Sequence, residues 1–189
     1  MGVLSRELIK KIGFSSVGEN VLISDRASFY NPSRISIGSN VRIDDFCVLS
    51  AGAEGINIGS YIHIGVFSSL IGAGKITLCD FCNISSRVSV YSSNDDYSGS
   101  AMTNPLLPSK YTNVTHDNVF MHKHVIVGSG SVILPGVTLG EGAAIGALSL
   151  VKRDCNAFYI YGGNPLRQIR ARKRDLLELE KAFYLTRGD

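Results

Sequence analysis

The bulky hydrophobic positions of this chain recur every six residues. From Met121 the spacing is unbroken: Met121, Val127, Ile133, Leu139, Ile145 and Val151, with Gly following at 128, 140 and 146. Four places after each bulky residue stands a smaller one or a Val: Val125, Ser131, Val137, Ala143 and Ser149. A period of six fits neither the 3.6 of a helix nor the 2 of a single strand, so the pattern predicts an all-β solenoid. Three such hexads close one triangular coil, and residues 18 apart lie one above the other.

The same pattern extends back to Val17, through VGENVL, ISDRAS, IGSNVR, IDDFCV, IGSYIH, IGVFSS, LCDFCN and ISSRVS. Three short interruptions break it, at 30–34, 50–55 and 71–75, so that Ile37, Ile58 and Leu78 are 21 and 20 apart instead of 18. One corner therefore bulges on successive coils. After Val90 the repeat is lost until Val119, which predicts an external loop over about 92–118, a length that compact domains seldom carry without a use for it.

The ends read differently. Residues 5–12 place Ser5 as an N-cap, Leu8, Ile9 and Ile12 at helical spacing and Gly13 as a stop, which predicts a short helix over the open first coil. An uncovered terminal coil would expose core and unpaired strand edges. Beyond Val151 come Phe158–Tyr161 and Gly162-Gly163-Asn164-Pro165. Pro at a first turn and the apolar spacing after it predict a C-terminal helix over about 165–185. Nothing demands a second domain, and residues 1–189 are taken as one.

Composition adjusts this picture only slightly. The 20 Gly and absence of Trp suit many tight corners, and a net charge of +3 argues against nucleic acid as partner. No apolar run approaches a membrane span and the first residues lack a signal peptide's hydrophobic centre, so a soluble, cytoplasmic protein is expected. Cys79 and Cys82 form a CxxC, but Cys82 falls on the small inward position that Cys47 also fills, so packing explains it better than metal or redox chemistry.

The hexads ending in GEGAAIGA, with GGNPLRQI some ten residues after the last of them, resemble the hexapeptide acyltransferases, which are left-handed parallel β-helices that take acyl groups from coenzyme A. Within these, the loop SSNDDYSG, the run MTNPLLPSKYTNV and the opening KKIGFSSVGENVLIS are most similar to sugar-nucleotide N-acyltransferases of the anthrose-pathway type, over nearly the whole chain. The resemblance implies an acyl-CoA, acetyl-CoA first, as co-substrate. It implies as acceptor a nucleotide-linked amino sugar, a dTDP-linked 4-amino-4,6-dideoxy sugar, used in cell-surface polysaccharide such as lipopolysaccharide or O-antigen. The alternative is O-acetylation of a saccharide. Acyl chain length stays open.

Acyl transfer from a thioester needs a slot for pantetheine, donors for the developing oxyanion and an acceptor for the nucleophile's proton. Ser129 and Ala147, 18 apart, put corner amides one coil apart, and in the family such corners bind pantetheine. Lys152, Asn164, Pro165, Arg167, Arg170 and Arg172 follow the last coil, where the phosphates of coenzyme A are expected. For the base, the family's frequent loop histidine is missing after Tyr91, and Asp95-Asp96 stand there instead. The resemblance assigns the base to Asp96, and a neighbouring carboxylate should raise one of the pair. It also places Ser86 against the acceptor's amino group.

Arg87 beside Ser86 serves either the substrate or an ion pair with Asp95 or Asp96. Register alone aligns Arg42, His63 and Asn83 as a polar ladder toward the sugar, while Phe67 and Tyr97 are candidates for the acyl or sugar pocket. A rival base set is His116, His122 and His124, the last two expected on one side of a strand. The pair also raises a metal-bearing β-helix of the carbonic anhydrase type with His63 as third ligand, although no metal is expected. A loop thrown from each prism is best buried against a neighbour, which predicts a homotrimer with sites between subunits.

Overall fold

A computed structural model describes residues 2–187. Three parallel strands make each coil, and successive coils stack into a triangular prism of six coils with part of a seventh. The first face runs through Ser16–Val17, Ile35–Ile37, Ile56–Ile58, Ile76–Leu78, Val119–Met121 and Thr138–Leu139. The second runs through Leu22–Ile23, Val41–Ile43, Ile62–Ile64, Asn83–Ile84, Ile126–Val127, Ala144–Ile145 and Tyr159–Gly162. The third comprises Ser28–Tyr30, Val48–Ala51, Ser69–Gly72, Ser89–Tyr91, Val132–Ile133 and Leu150–Val151.

Strand alternation explains the core. In Ile62–Ile64 both isoleucines are buried and His63 between them points outward. Met121, Val127, Ile133, Leu139, Ile145 and Val151 are all buried, as are the smaller partners Val125, Ser131, Val137, Ala143 and Ser149. Ile37, Ile58 and Leu78 pair in register although 21 and 20 residues separate them. The extra residues are absorbed at the corner from the third face to the first, where Pro32–Arg34 forms a 3₁₀ turn.

At the other two corners the chain turns through the left-handed region, and bulky residues occupy it. Tyr61, Phe81 and His124 do so between the first and second faces, and Phe46, Phe67, Arg87 and Leu148 between the second and third. That backbone is costly for a non-glycine residue. Stacking between coils offsets it: ring centroids are 4.9 Å apart for Tyr61–Phe81, and 5.0 Å apart for Phe81–His124 and Phe46–Phe67. These spacings match the roughly 4.8 Å between neighbouring strands, because the rings occupy the same position on successive coils.

The N-terminal helix, α1, spans Arg6–Ile12, with Ser5 Oγ accepting from the Leu8 amide and Gly13 closing it at φ 82°. Ile9 is buried against the first coil. The external stretch is more ordered than the loss of repeat suggested. Ser92 is fully buried and donates through Oγ to the Gly74 carbonyl at 2.6 Å. Ser93–Asn94 then pairs antiparallel with Thr115–His116, and Ser109–Tyr111 is a 3₁₀ turn. The stretch leaves from the corner that carries the bulges.

The C-terminus departs from the expected helix over 165–185. Tyr159–Gly162 continues the second face, Gly163 turns at φ 94°, and Arg167–Ala171 returns antiparallel. The last coil would otherwise present an unpaired edge, and this polar, exposed strand covers it. The second helix, α2, is confined to Asp175–Arg187. It docks on the first-to-second corner, where Glu180 accepts from Lys123 Nζ at 2.9 Å and pairs with His124 Nε2 at 2.7 Å. Phe183 packs edge-on against Tyr61 and Phe81. Among the described residues no helix is long and apolar enough to cross a membrane.

Candidate functional site

The corner between the second and third faces carries a line of backbone donors. Hydrogen bonds between coils stack Asp45, Val66, Ser86, Ser129 and Ala147 there: the amide of Phe67 donates to Asp45 O at 3.1 Å, Arg87 to Val66 O at 2.9 Å, Gly130 to Ser86 O at 3.0 Å and Leu148 to Ser129 O at 2.9 Å. The amides of Val66, Ser86, Ser129 and Ala147 themselves meet no protein acceptor among the described residues. The first-to-second corner handles the equivalent groups differently. There Glu19 N donates to Ser39 Oγ at 3.0 Å, Ser39 N to Ser60 Oγ at 3.0 Å and Ser60 N to Asp80 Oδ1 at 2.8 Å. Side chains thus satisfy the amides of the lower coils at the first-to-second corner, whereas those of Asp80, Lys123 and Glu141 higher on that corner, like the four at the second-to-third corner, meet no protein acceptor among the described residues.

This places residues that the sequence suggested for separate duties on one line. Ser86 lies directly below Ser129, and Ala147 directly above it. Gly163 closes the line, its amide donating to Ser149 Oγ at 3.0 Å, and Asn164 and Pro165 follow, exposed, in the hairpin turn. Lys152 sits apart, where the chain leaves the third face, and Arg170 lies on the outer strand opposite Ile160. Arg172 is half-buried and committed to the protein's own backbone, donating to the carbonyls of His124 at 2.9 Å and Gly142 at 3.0 Å.

On the second face beside this corner, Arg42, His63 and Asn83 do stack in register. Asp44, which the periodicity did not single out, organises two of them: its carboxylate takes Arg42 Nε at 2.7 Å and His63 Nε2 at 2.8 Å. Burial raises the Asp44 carboxyl, but the bonds from His63 and Arg42 outweigh it and hold the group below its ordinary value. Arg87 pairs with neither Asp95 nor Asp96; its guanidinium lies 5.7 Å from the centroid of the half-exposed Phe67 ring.

Asp95 and Asp96 follow the small hairpin at the loop's root, across the width of the third face from Ser86. No hydrogen bond joins either to Ser86 among the described residues. Asp96 accepts from Ser98 Oγ at 2.7 Å, Ser98 N at 3.0 Å and Ala101 N at 2.8 Å. These bonds, Ser98 Oγ first, lower its carboxyl below the ordinary value, so the expected upward push from a neighbouring carboxylate is not what governs it. Asp95 faces a cavity of about 540 Å³ that is also lined by Asn104, Leu107, Thr112 and His116. Tyr97 is exposed at the tip.

The histidines are dispersed. His122 and His124 do not share a strand face: the strand ends at Met121, and His124 turns the corner at φ 60° against Phe81 and Glu180. His116 Nδ1 meets Ser93 Oγ at 2.8 Å. Among the described residues no group of three or more His, Cys, Asp or Glu is arranged to hold a metal ion. Cys47 and Cys82 point inward, and burial pushes their thiols up to about 11 and about 12.

Stacked hexapeptide coils, an open line of corner amides and a Gly-Gly-Asn-Pro turn closing that line define a hexapeptide-repeat acyltransferase. No profile of a known protein family matches the chain. It is 60% identical over 183 residues to a dTDP-4-amino-4,6-dideoxy-D-glucose acyltransferase of Escherichia coli, covering 97% of this chain and 95% of that one. It superposes with a TM-score of 0.94 on AntD, an N-acyltransferase from Bacillus cereus solved with dTDP and 3-hydroxybutyryl-CoA, at 51% identity over 99% of this chain and 98% of that one. A galactoside acetyltransferase solved with coenzyme A shares the fold, with a TM-score of 0.55 at 23% identity over 90% of this chain and 71% of that one. The chain belongs to the family of dTDP-4-amino-4,6-dideoxyglucose acyltransferases, and its prism is their left-handed parallel β-helix.

Proposed function

We propose that the protein transfers an acyl group from coenzyme A to the 4-amino group of dTDP-4-amino-4,6-dideoxyglucose. The observation that carries this is the stacking of Ser86 beneath Ser129 on the open amide line. Pantetheine lies along Ser129 and Ala147, Asn164 and Pro165 flank its upper end, and Lys152 and Arg170 serve its phosphates. The thioester then comes down to Ser86. AntD has also been solved with coenzyme A and dTDP-4-amino-4,6-dideoxyglucose together, in a form substituted at a serine. Other forms of it are substituted at an aspartate ten positions further on, the separation between Ser86 and Asp96 here.

The neutral amine adds to the thioester carbon, forming the C–N bond and a tetrahedral oxyanion; once the nitrogen has lost a proton the C=O re-forms, the C–S bond breaks and coenzyme A leaves as its thiolate. Ser86 Oγ holds the amine on line, and the amide line receives the oxyanion. The nitrogen of the adduct loses its proton to Asp96, with Asp95, His116, His122 and His124 as weaker candidates. Asn83, His63, Arg87 and Tyr97 contact the sugar nucleotide. Because the loop's root and Ser86 lie at opposite edges of the third face, we assign Asp96 to the site of an adjacent copy in a homotrimer. The acyl group is taken as acetyl, and the setting as cytoplasmic synthesis of a lipopolysaccharide or O-antigen sugar. The four free cysteines suit that compartment.

Free-thiol release with acetyl-CoA tests the reading. The 4-amino sugar nucleotide should react faster than its 3-amino isomer and than any neutral galactoside. Equal rates for the two isomers refute the ring position, and faster release with a galactoside refutes N-acylation. Repeating the assay with 3-hydroxybutyryl-CoA decides the acyl group. A sedimentation mass three times the 20.4 kDa chain supports the trimer, and a monomer refutes it.

A further inference from the structure

The bulged corner between the third face and the first holds both roots of the external loop. Ser92 Oγ donates to Gly74 O at 2.6 Å and the Ala73 amide to Ser93 Oγ at 2.7 Å, where the chain leaves. The Lys75 amide donates to Asn118 Oδ1 at 2.8 Å and the Val119 amide to Lys75 O at 2.8 Å, where it returns. Gly74 leaves no room for a side chain between the two roots: a Cβ there would come within 2.6 Å of Asp117 O and 2.9 Å of Ser92 O.

Beyond these roots the ribbon that carries the aspartates is short, with Ser93 opposite His116 and Asn94 opposite Thr115. A two-stranded ribbon of that length is not stable by its ladder alone. One hydroxyl ties both of its strands to the prism. Ser93 Oγ accepts from the Ala73 amide and lies 2.8 Å from His116 Nδ1. It has one proton to give and meets no other acceptor among the described residues, so that proton goes to Nδ1 and the ring carries its own on Nε2. Asp95 and Asp96 follow Asn94 directly. The partners of Asp96, Ser98 and Ala101, belong to the loop itself, so they orient the carboxylate within the loop without placing the loop on the prism.

We propose that His116 is a positioning residue for acyl transfer: through Ser93 it fixes the ribbon to the bulged corner and so sets where the Asp96 carboxylate stands. A general base must come within hydrogen-bond reach of the proton it takes. A misplacement of about 1 Å can cost about a hundredfold in rate. Nδ1 of His116 is committed to the Ser93 hydroxyl, so the imidazole serves here as an acceptor for the protein's own proton. This role rests on Asp96 as the base, argued above.

The test uses the full-length protein with acetyl-CoA and the sugar nucleotide, read by thiol release, together with hydrogen exchange over 93–97 and 113–117. His116→Ala and Ser93→Ala should each lower kcat roughly tenfold, leave both KM values within about twofold and speed exchange in the ribbon. His116→Asn keeps an acceptor near the place of Nδ1 and should restore kcat to within about threefold of the wild type, which the loss of a base would not allow. His116→Ala combined with Asp96→Asn should turn over no more slowly than Asp96→Asn alone, because the first effect runs through the second. Unchanged kcat in His116→Ala overturns the proposal. So does a His116→Asn variant as slow as His116→Ala, or effects that multiply in the double variant. Asp96→Asn by itself separates the two levels. If it is slow and the His116 results fail, only the positioning role falls; if it is silent, the assignment of the base falls as well.

Discussion

The Gly130 amide reaches down one coil to the Ser86 carbonyl at 3.0 Å, leaving the Ser86 and Ser129 amides one above the other and facing out. This relationship joins the two halves of the proposed reaction, because a donor slot ending at Ser129 and an acceptor held at Ser86 are then one strand spacing apart. Neither position is deeply buried, so substitutions along the line can be judged by function without loss of the fold.

Ala147→Leu adds bulk at an exposed corner and should leave the thermal midpoint within about 2 °C, since surface changes seldom exceed 0.5 kcal/mol. Its KM for acetyl-CoA should rise roughly tenfold while dTDP affinity holds. Steady-state kinetics at varied acetyl-CoA and a dTDP titration check this, and an unchanged KM would remove Ala147 from the pantetheine path.

Asp96→Asn should lower turnover roughly tenfold or more, with both ligands bound almost as in the wild type, and Asp95→Asn should do less. The Asp96 carboxyl is held below 3.8, so it remains ionised from about pH 5 upward and contributes no acidic limb there. Loss of turnover in His116→Asn with Asp96→Asn silent would transfer the base to His116.

Asp44→Asn removes the carboxylate shared by Arg42 and His63 and should destabilise the protein by about 1–3 kcal/mol at pH 7. Because the folded-state value is depressed, the wild-type contribution is present above about pH 4 and is lost as pH falls through the lower folded value. Melting curves at pH 7 and pH 3 should therefore differ less for the variant than for the wild type. Equal differences would mean that the cluster does not couple to folding.

Glu180→Ala cuts both ties from α2 to Lys123 and His124 and leaves the aromatic contacts of Phe183. Hydrogen exchange should speed up across 175–186 and stay slow in the coils, which do not depend on the helix. Uniform acceleration would show that the helix supports the prism as a whole.

Much of this protein could be read from its sequence. Six-residue spacing alone determines that Met121 through Val151 point inward, because only a flat-sided coil returns every sixth side chain to the same environment. It also determines the bulged corner, since Ile37, Ile58 and Leu78 must meet in register whatever lies between them. Ser5 and Gly13 set the first helix through local capping chemistry. The resemblance to sugar-nucleotide N-acyltransferases, carried by particular loops, pointed to the reaction.

Tertiary structure decided what depends on vertical neighbours. Periodicity made the corner amides at Ser129 and Ala147 equivalent to those at Ser39 and Ser60. Only the stacked coils reveal that the side chains of Ser60 and Asp80 take the amides of Ser39 and Ser60, while those of Ser129 and Ala147 meet no protein acceptor among the described residues. Asp44 gained its role from His63 a coil away, and Asp96 lost the expected upward shift to Ser98 and Ala101 within its own loop. Residues 167–171 became a strand because the last coil leaves an edge unpaired. That need outweighs the local helical signal after Pro165, and it exists only once the prism has been built.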